Sequence, residues 1–345
     1  MSWQIERFDP AAATDDELRA RYALDAEIEG ELWSEDPVMP FDAWKHRILD
    51  APSWNRTARW VAWDAGRTRV LGASRLAMGF TETNRHLGEV EVSVTKAERR
   101  GGLGRALLVP VVAEAESEGR TLLNGGGPTD GDGNAFAEAL GAERKITERK
   151  SRMVLAGVDR PMLEGWTAKA EERAAGYSLL RWDGPAPDEY LDKFVALTMV
   201  MNTAPRDDLE MDDWIHTPER HREQEERALR QGYKWWTVVC RHDETDELCG
   251  FTEFVFPPYD PTAAWQEATA VDPVHRDKGI GRWLKAANAL RLMDEHPEVT
   301  HVDTWNAFSN APMLGINIAM GFEVVKSYTE YQIPTDRLAA ALKSF

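Results

Sequence analysis

The spacing of apolar and polar positions along this chain switches repeatedly between two periods, and the switches come in the same order twice. Trp3, Ile5 and Phe8 stand between polar residues and predict a strand within residues 1–9. Helical spacing follows over 15–32 and 41–49. Residues 59–64 and 69–78 alternate around Ala65-Gly66 and predict a strand pair. The strand-like run Glu91-Val92-Ser93-Val94 leads into a glycine turn. Behind that turn Leu107, Leu108, Val111, Val112 and Ala115 form a helical apolar face, which Pro110 is expected to kink. Thr121-Leu122-Leu123 reads as a strand ending in a glycine-rich loop over 124–134.

The order restarts at Tyr177. A strand over 177–182 precedes helices over 187–201 and 218–231, then a hairpin of 233–241 with 247–256. Trp265–Val271 is a strand entering a second glycine turn, and Trp283, Ala287, Leu290 and Met293 fall at helical spacing behind it. A strand over 300–305, a short helix over 311–320 and a strand over 322–333 close the chain. The spacing therefore predicts an N-terminal domain over 1–157, a connecting helix over 158–175 and a C-terminal domain over 176–345.

Composition narrows the class. The 345 residues suffice for two domains with separate cores, and no apolar run approaches the ~20 residues of a membrane span. The first residues lack the pattern of a signal peptide, so the expected location is cytoplasmic. A net charge of −18 argues against a nucleic-acid partner and suits a cationic one. Cys240 and Cys249 flank a predicted hairpin tip and are expected to face each other as free thiols.

The glycine turns carry the chemistry. Arg99-Arg100-Gly101-Gly102-Leu103-Gly104 and Arg276-Asp277-Lys278-Gly279-Ile280-Gly281 each join a strand to a helix. A turn poor in side chains at a helix start leaves backbone N–H groups converging on one spot, with the helix dipole behind them. That is a cradle for phosphate. The third glycine of a dinucleotide fingerprint is missing twice, with Leu107 and Leu284 in its place, and neither turn has the Gly-Lys-Ser/Thr of a Walker loop. Asp130, Asp132 and Asn134 have the spacing of a calcium loop, but Gly141 stands where its closing glutamate belongs, so no metal is expected.

Both turns fit R-x-x-G-x-G after a strand. In this they resemble the pyrophosphate loop of the GCN5-related N-acetyltransferase (GNAT) superfamily. The resemblance extends through Asn306-Ala307-Phe308-Ser309-Asn310 and the Gly321-Phe322 exit, covering most of 265–325; the first half is similar chiefly over 94–108. The layout resembles that of mycothiol synthase and other actinobacterial tandem acetyltransferases. It implies an α/β (α+β) fold of two GNAT domains, each a mixed, mostly antiparallel, splayed sheet flanked by helices.

The resemblance also implies acetyl-CoA as cosubstrate. Its pyrophosphate would lie on Arg276, Asp277, Lys278, Gly279, Ile280, Gly281 and Arg282, its pantetheine along Val271, with Asn306 and Asn310 beside it. The first-half counterparts are Val94, Arg99, Arg100, Gly101, Gly102, Gly104 and Arg105.

An alkyl amine of pKa ~10.4 is only about one part in two thousand neutral at pH 7, which costs roughly 4–5 kcal/mol unless a base helps. The family places a glutamate on the strand before the loop. Glu267 is the acidic residue there, and regular alternation puts it on the face of Val271. The usual acid, a tyrosine before the exit glycine, is replaced by Asn317, which leaves Tyr328 or Tyr331 as substitutes. Glu89 and Glu91 lie on the equivalent first-half strand, whose following loop is unlike a working site, so catalysis is expected in the second half. Trp214, Trp235, Trp236 and Trp265 are candidates to line an acceptor pocket, with the acidic run 207–213 as its wall. The expected activity is acetyl transfer to a primary amine of a small cationic molecule. A non-catalytic acyl-CoA-binding regulator and an enzyme acting on a protein amine are the alternatives.

Overall fold

The computed structural model describes residues 3–343. In chain order the elements are β1 (Trp3–Arg7), α1 (Asp15–Leu32), α2 (Phe41–Leu49), β2 (Asn55–Asp64), β3 (Val70–Gly79), β4 (Leu87–Val94), α3 (Leu103–Ser117), β5 (Leu122–Pro128), α4 (Asp132–Ala139) and β6 (Glu143–Val154). Then come α5 (Arg160–Arg173), β7 (Tyr177–Asp183), α6 (Asp188–Thr198), α7 (Pro218–Arg230), β8 (Lys234–His242), β9 (Glu247–Phe256) and β10 (Ala263–Val271). The chain ends with α8 (Ile280–Glu295), β11 (His301–Ala307), α9 (Ala311–Met320), β12 (Glu323–Pro334) and α10 (Thr335–Lys343). The elements are a mixed α/β set as the spacing predicts, and α4, β6 and α10 are additions to it. No helix among the described residues is long and apolar enough to cross a membrane.

Helix starts follow local chemistry. At α1, Thr14 and Glu17 form a capping box: Thr14 Oγ1 accepts from Glu17 N at 3.3 Å and Glu17 Oε2 from Thr14 N at 3.0 Å. Asp159 caps α5 and Thr217 caps α7 in the same manner. Pro110 lies inside α3, which continues past it to Ser117.

The chain forms two compact units that are not contiguous in sequence. Unit 1 holds residues 1–147, 207–213 and 328–345; unit 2 holds 148–206 and 214–327. Their division thus falls about ten residues before the boundary read along the chain, and the C-terminal stretch from Tyr328 lies with the first half.

In unit 1 the strands run β1-β2-β3-β4-β5, with antiparallel pairs except β4–β5, and the end of β12 completes the order beside β5. Leu76, Met78, Leu108, Val111 and Leu123 form its core between sheet and α3. The glycine-rich stretch expected as a loop is strand in part. Gly125–Gly127 belong to β5 because β12 passes very close: a Cβ on Gly126 would stand 2.6 Å from Tyr328 Cε1 and 2.7 Å from the Thr329 carbonyl oxygen.

In unit 2 the order is β7-β8-β9-β10-β11, with the end of β6 beside β11, and the parallel pair is β10–β11. One face packs α8 through Ala286, Ala289 and Leu292 against Phe254, Ala264 and Val302. The other packs α6, with Phe194 meeting Phe251 edge to face at 5.5 Å. Burial of a phenylalanine of this kind stabilises by about 3 kcal/mol. Cys240 and Cys249 are both free and buried, but they do not face each other: Cys240 stands opposite Gly250, and the register shift after it leaves Cys249 in a bulge.

Candidate functional site

Each parallel pair separates partway along. In unit 2, β10 and β11 pair from Ala263–His301 to Gln266–Thr304; beyond this point β10 stays with β9 and β11 with β6. In unit 1, β4 and β5 pair only over Leu87–Glu89 and Leu122–Asn124. Each sheet is therefore splayed, as expected, and each fork opens towards its glycine turn.

The two turns have the same backbone. Gly102 and Gly279 take φ of 86° and 84° before α3 and α8, and Arg100 and Asp277 both take φ of 65°. Neither helix start receives a side-chain cap, so its first N–H groups are left for a ligand. In unit 2 these belong to Ile280, Gly281 and Arg282, which follow Lys278 and Gly279; the Ile280 side chain itself is core. The Arg282 guanidinium lies over Trp166, 5.3 Å from the ring centroid. A methyl added at Gly281 would make only ordinary contact, 3.5 Å from Ile316 Cδ1.

The surroundings of the turns differ. Arg276 donates through Nε to the Val271 carbonyl at 3.0 Å and through Nη2 to Thr203 Oγ1 at 3.1 Å. Arg99 makes the matching bond to the Val94 carbonyl at 3.2 Å, but Glu31 holds its guanidinium at both ends, at 2.7 and 2.6 Å. Asp132 adds a second carboxylate at 3.5 Å. Phe136 lies over Gly104, where a Cβ would stand 3.3 Å from the ring. The first cradle, from Arg99 through Gly101 to Arg105, is thus crowded and flanked by carboxylates, both unfavourable to a phosphate. The second fits one. Asp132 and Asn134 of the calcium-like spacing are used locally, Asn134 donating to the Pro128 carbonyl at 2.7 Å.

A bulge changes the reading of β10. Gln266 stands opposite Phe254 and Thr269 opposite Thr252, so β10 has one residue more than β9 between these pairs. Gln266 and Thr269 consequently share a face: Gln266 Nε2 and Thr269 Oγ1 both bond Thr252 Oγ1, at 2.9 and 2.8 Å. Regular alternation between Glu267 and Val271 does not hold, and Glu267 is displaced from the Val271 face to that of α6. The fork is fixed there by Thr304 Oγ1 donating to the Gln266 carbonyl at 3.0 Å.

At this bulge Glu267 is exposed, and desolvation by the protein around it raises its pKa above the ordinary value. Across the strand pair stands Glu253, half-buried on β9 and accepting a hydrogen bond from Thr237 Oγ1 at 3.1 Å. Burial pushes Glu253 up to about 7, against the pull of the Thr237 bond, and the charge of Glu267 adds to the rise. Sequence reasoning missed Glu253. Its signal is a single carboxylate inside the apolar run Phe251–Phe256.

Histidines from the α7 segment complete this face. His221 Nε2 lies 3.1 Å from Glu225 Oε1, and its Nδ1 3.2 Å from His216 Nε2. Glu225 is tied down further by Ala186 N at 2.7 Å and Arg222 at 2.6 Å. Burial, with His221 and Arg220 nearby, lowers His216 to about 4.

The remaining candidates divide. Asn317 is buried and donates to Asn306 Oδ1 at 2.6 Å, so these two meet across α9 and β11. Asn310 caps α9, its Oδ1 accepting from Met313 N at 3.4 Å. Tyr328 belongs to unit 1, opposite Pro128 on β5, and Tyr331 donates to Glu138 there at 3.2 Å, whereas the second fork belongs to unit 2. The acidic run, expected as a wall of the acceptor pocket of the second half, sits instead with unit 1, where Glu210 N bonds Gln332 Oε1 at 2.9 Å and Asp212 N bonds Asn84 Oδ1 at 2.7 Å. Trp235 and Trp236 are buried, Trp265 lies under the Lys150 ammonium, and Trp214 is exposed.

Residues 201–313, which include β10, the second turn and α8, match the family model described as Acetyltransferase (GNAT) family. No curated protein sequence matches significantly. Among solved structures, the chain is similar to a tandem GNAT protein from the clavulanic acid biosynthesis pathway. The TM-score is 0.76 at 24% identity, over 97% of this chain and 99% of that one. It is also similar to a GCN5-related N-acetyltransferase from Sphaerobacter thermophilus, with TM-score 0.62, 13% identity and 96% of each chain covered. A third match is the glucosamine N-acetyltransferase region of a fungal multi-domain GH3 β-N-acetylglucosaminidase. Here the TM-score is 0.67 at 14% identity, over 96% of this chain and 38% of that longer one. Identities this low carry the fold, and a GNAT fold supports acyl transfer in general. Residues 201–313 therefore carry the GNAT acetyltransferase signature, within a chain that has the fold of the tandem GNAT proteins.

Proposed function

We propose that the chain transfers an acetyl group from acetyl-CoA to a primary amine of a small cationic molecule, and that unit 2 does the chemistry. The observation that carries this is the contrast between the turns. The second leaves its helix start uncovered and its arginine bonded only to neutral oxygens, whereas the first has Glu31, Asp132 and Phe136 in the way. Arg276 to Arg282 would hold the pyrophosphate, beside Val271. Acetyl-CoA supplies a thioester whose thiol leaves readily at its low pKa, without a dedicated acid.

The residues at the fork supply the rest. An ammonium entering beside Glu253 and Glu267 is attracted by their charge and then loses its proton to one of them. A carboxylate whose pKa stands near 7 accepts that proton far better than one at 4.5. Glu253 acts as the base in this reading, and Glu267 orients the ammonium from the solvent side. Asn317, engaged with Asn306, positions the inner end of the fork and donates no proton to the leaving group.

Calorimetric titration with acetyl-CoA, followed by a screen of small amines for CoA release, tests the proposal. One site per chain and turnover with an amine are expected. Absence of acetyl-CoA binding would overturn it. Binding with no amine turned over would favour the regulatory alternative, to which the asparagine at position 317 also points.

A further inference from the structure

Unit 1 contains a row of charges in which one arginine has no ion pair. Arg59 on β2 stands directly opposite Arg75 on β3, and Arg75 directly opposite Glu91 on β4. Neighbouring positions on these strands, Ala58, Trp60, Leu76, Val90 and Val92, pack with α3. Alternation therefore turns Arg59, Arg75 and Glu91 to the other face, away from the glycine turn's helix. There α1 brings Arg21, buried and ion-paired to Asp25, which also accepts from Trp44 Nε1 at 2.7 Å.

Like charges directly opposite each other on adjacent strands repel. Two of the three arginines have a counter-charge: Asp25 for Arg21, and Glu91 for Arg75 at 2.9 Å. Arg59 has none. Its hydrogen bond goes to the Thr57 carbonyl at 3.2 Å, and no carboxylate among the described residues forms an ion pair with it. Burial and the charges of Arg75 and Arg21 bring it down to about 10, far below the ordinary arginine value. The face is reachable, since the Arg75 and Glu91 side chains are 42% and 51% exposed.

We infer that this face of unit 1 binds a small molecule through an oxyanion, carboxylate or phosphate, seated on Arg59 and Arg75. Guanidinium forks match both groups with paired hydrogen bonds, and the anion supplies the direct ion pair that Arg59 lacks. Glu91 and Glu89 on the same face set a limit, because they repel a polyanion. The inference does not rest on the transferase reading, because the site lies on the opposite face from the first turn's helix and in the other unit from the second turn.

The test uses the full chain, with succinate and inorganic phosphate as separate probes, read by calorimetry and by melting temperature. At least one probe is expected to bind and raise the melting temperature. A response to succinate alone identifies a carboxylate ligand, and a response to phosphate alone a phosphate. Arg59→Gln should weaken that binding by about tenfold or more, and a phosphate response that Arg276→Gln removes belongs to the second turn and is not counted. Without any probe, Arg59→Gln should melt no lower than the parent, since it removes a desolvated guanidinium that stands opposite Arg75 with no ion pair. Failure of both probes, undiminished binding by Arg59→Gln, or a lowered melting temperature in probe-free Arg59→Gln would each overturn the inference.

Discussion

Arg276 donates to the carbonyl of Val271 at 3.0 Å, so the side chain that opens the second turn also ties it to the end of β10. A charge-assisted bond of this kind is worth about 1.5–3 kcal/mol. Arg276→Ala should weaken acetyl-CoA binding by about tenfold or more, and Arg99→Ala, whose guanidinium is held by Glu31, by much less. Calorimetry on the two variants checks the contrast, and equal losses would contradict it.

Activity should rise with pH through about 7. Glu253 accepts a proton only when ionised, and its pKa is pushed up to about 7, so the working form is lost as pH falls below that value. Glu253→Gln should lower kcat by about 10²–10⁴ and remove this limb of the profile. A pH–rate series on both proteins distinguishes the base from the titration of the amine itself.

His216 has the opposite character in folding. Its pKa is about 4 in the folded chain against 6.5 when free, so between these values the unfolded chain takes up a proton that the native one does not. Stability therefore falls as pH drops from 6.5 to 4. Glu253 works in reverse: held protonated above its free value of 4.5, it lowers stability as pH rises towards 7. His216→Gln should flatten the acid-side loss by on the order of 1–2 kcal/mol, after allowance for solvent screening. Urea denaturation at a series of pH values measures it.

Gly126→Ala should destabilise the protein by about 1–3 kcal/mol, since the new methyl would fall within 2.7 Å of the Thr329 carbonyl oxygen, which cannot give way cheaply. Gly127→Ala meets nothing within 4 Å and should change stability by no more than about 0.5 kcal/mol. Melting temperatures of the pair provide the comparison.

Local patterns were legible in the sequence and distant ones were not. The turns could be read because Gly102 and Gly279 supply the positive φ that lets a strand enter a helix abruptly, and that requirement lies in the residues themselves. Helix α2 begins and ends where its spacing says, at Phe41 and Leu49. The bulge at Glu267 left no trace in the alternation, because its extra residue is defined only against the partners Phe254 and Thr252. Glu253 was passed over for a related reason. A lone glutamate in an apolar strand gains meaning only when Glu267 and Thr237 are seen beside it. Tyr328 was read with the second half because its pairing with Pro128 depends on a strand some 200 positions earlier in the chain.

That last pairing has a consequence for how the protein comes into being. Unit 1 is finished only by residues from Tyr328 onward, yet its other strands are complete by Thr147. Roughly 180 residues separate the two, which a ribosome adding about 5–20 residues per second takes about 10–40 s to produce. Throughout that interval the β5 edge from Leu122 to Pro128 has no partner of its own, and the nascent first half must be kept from seeking one on another chain.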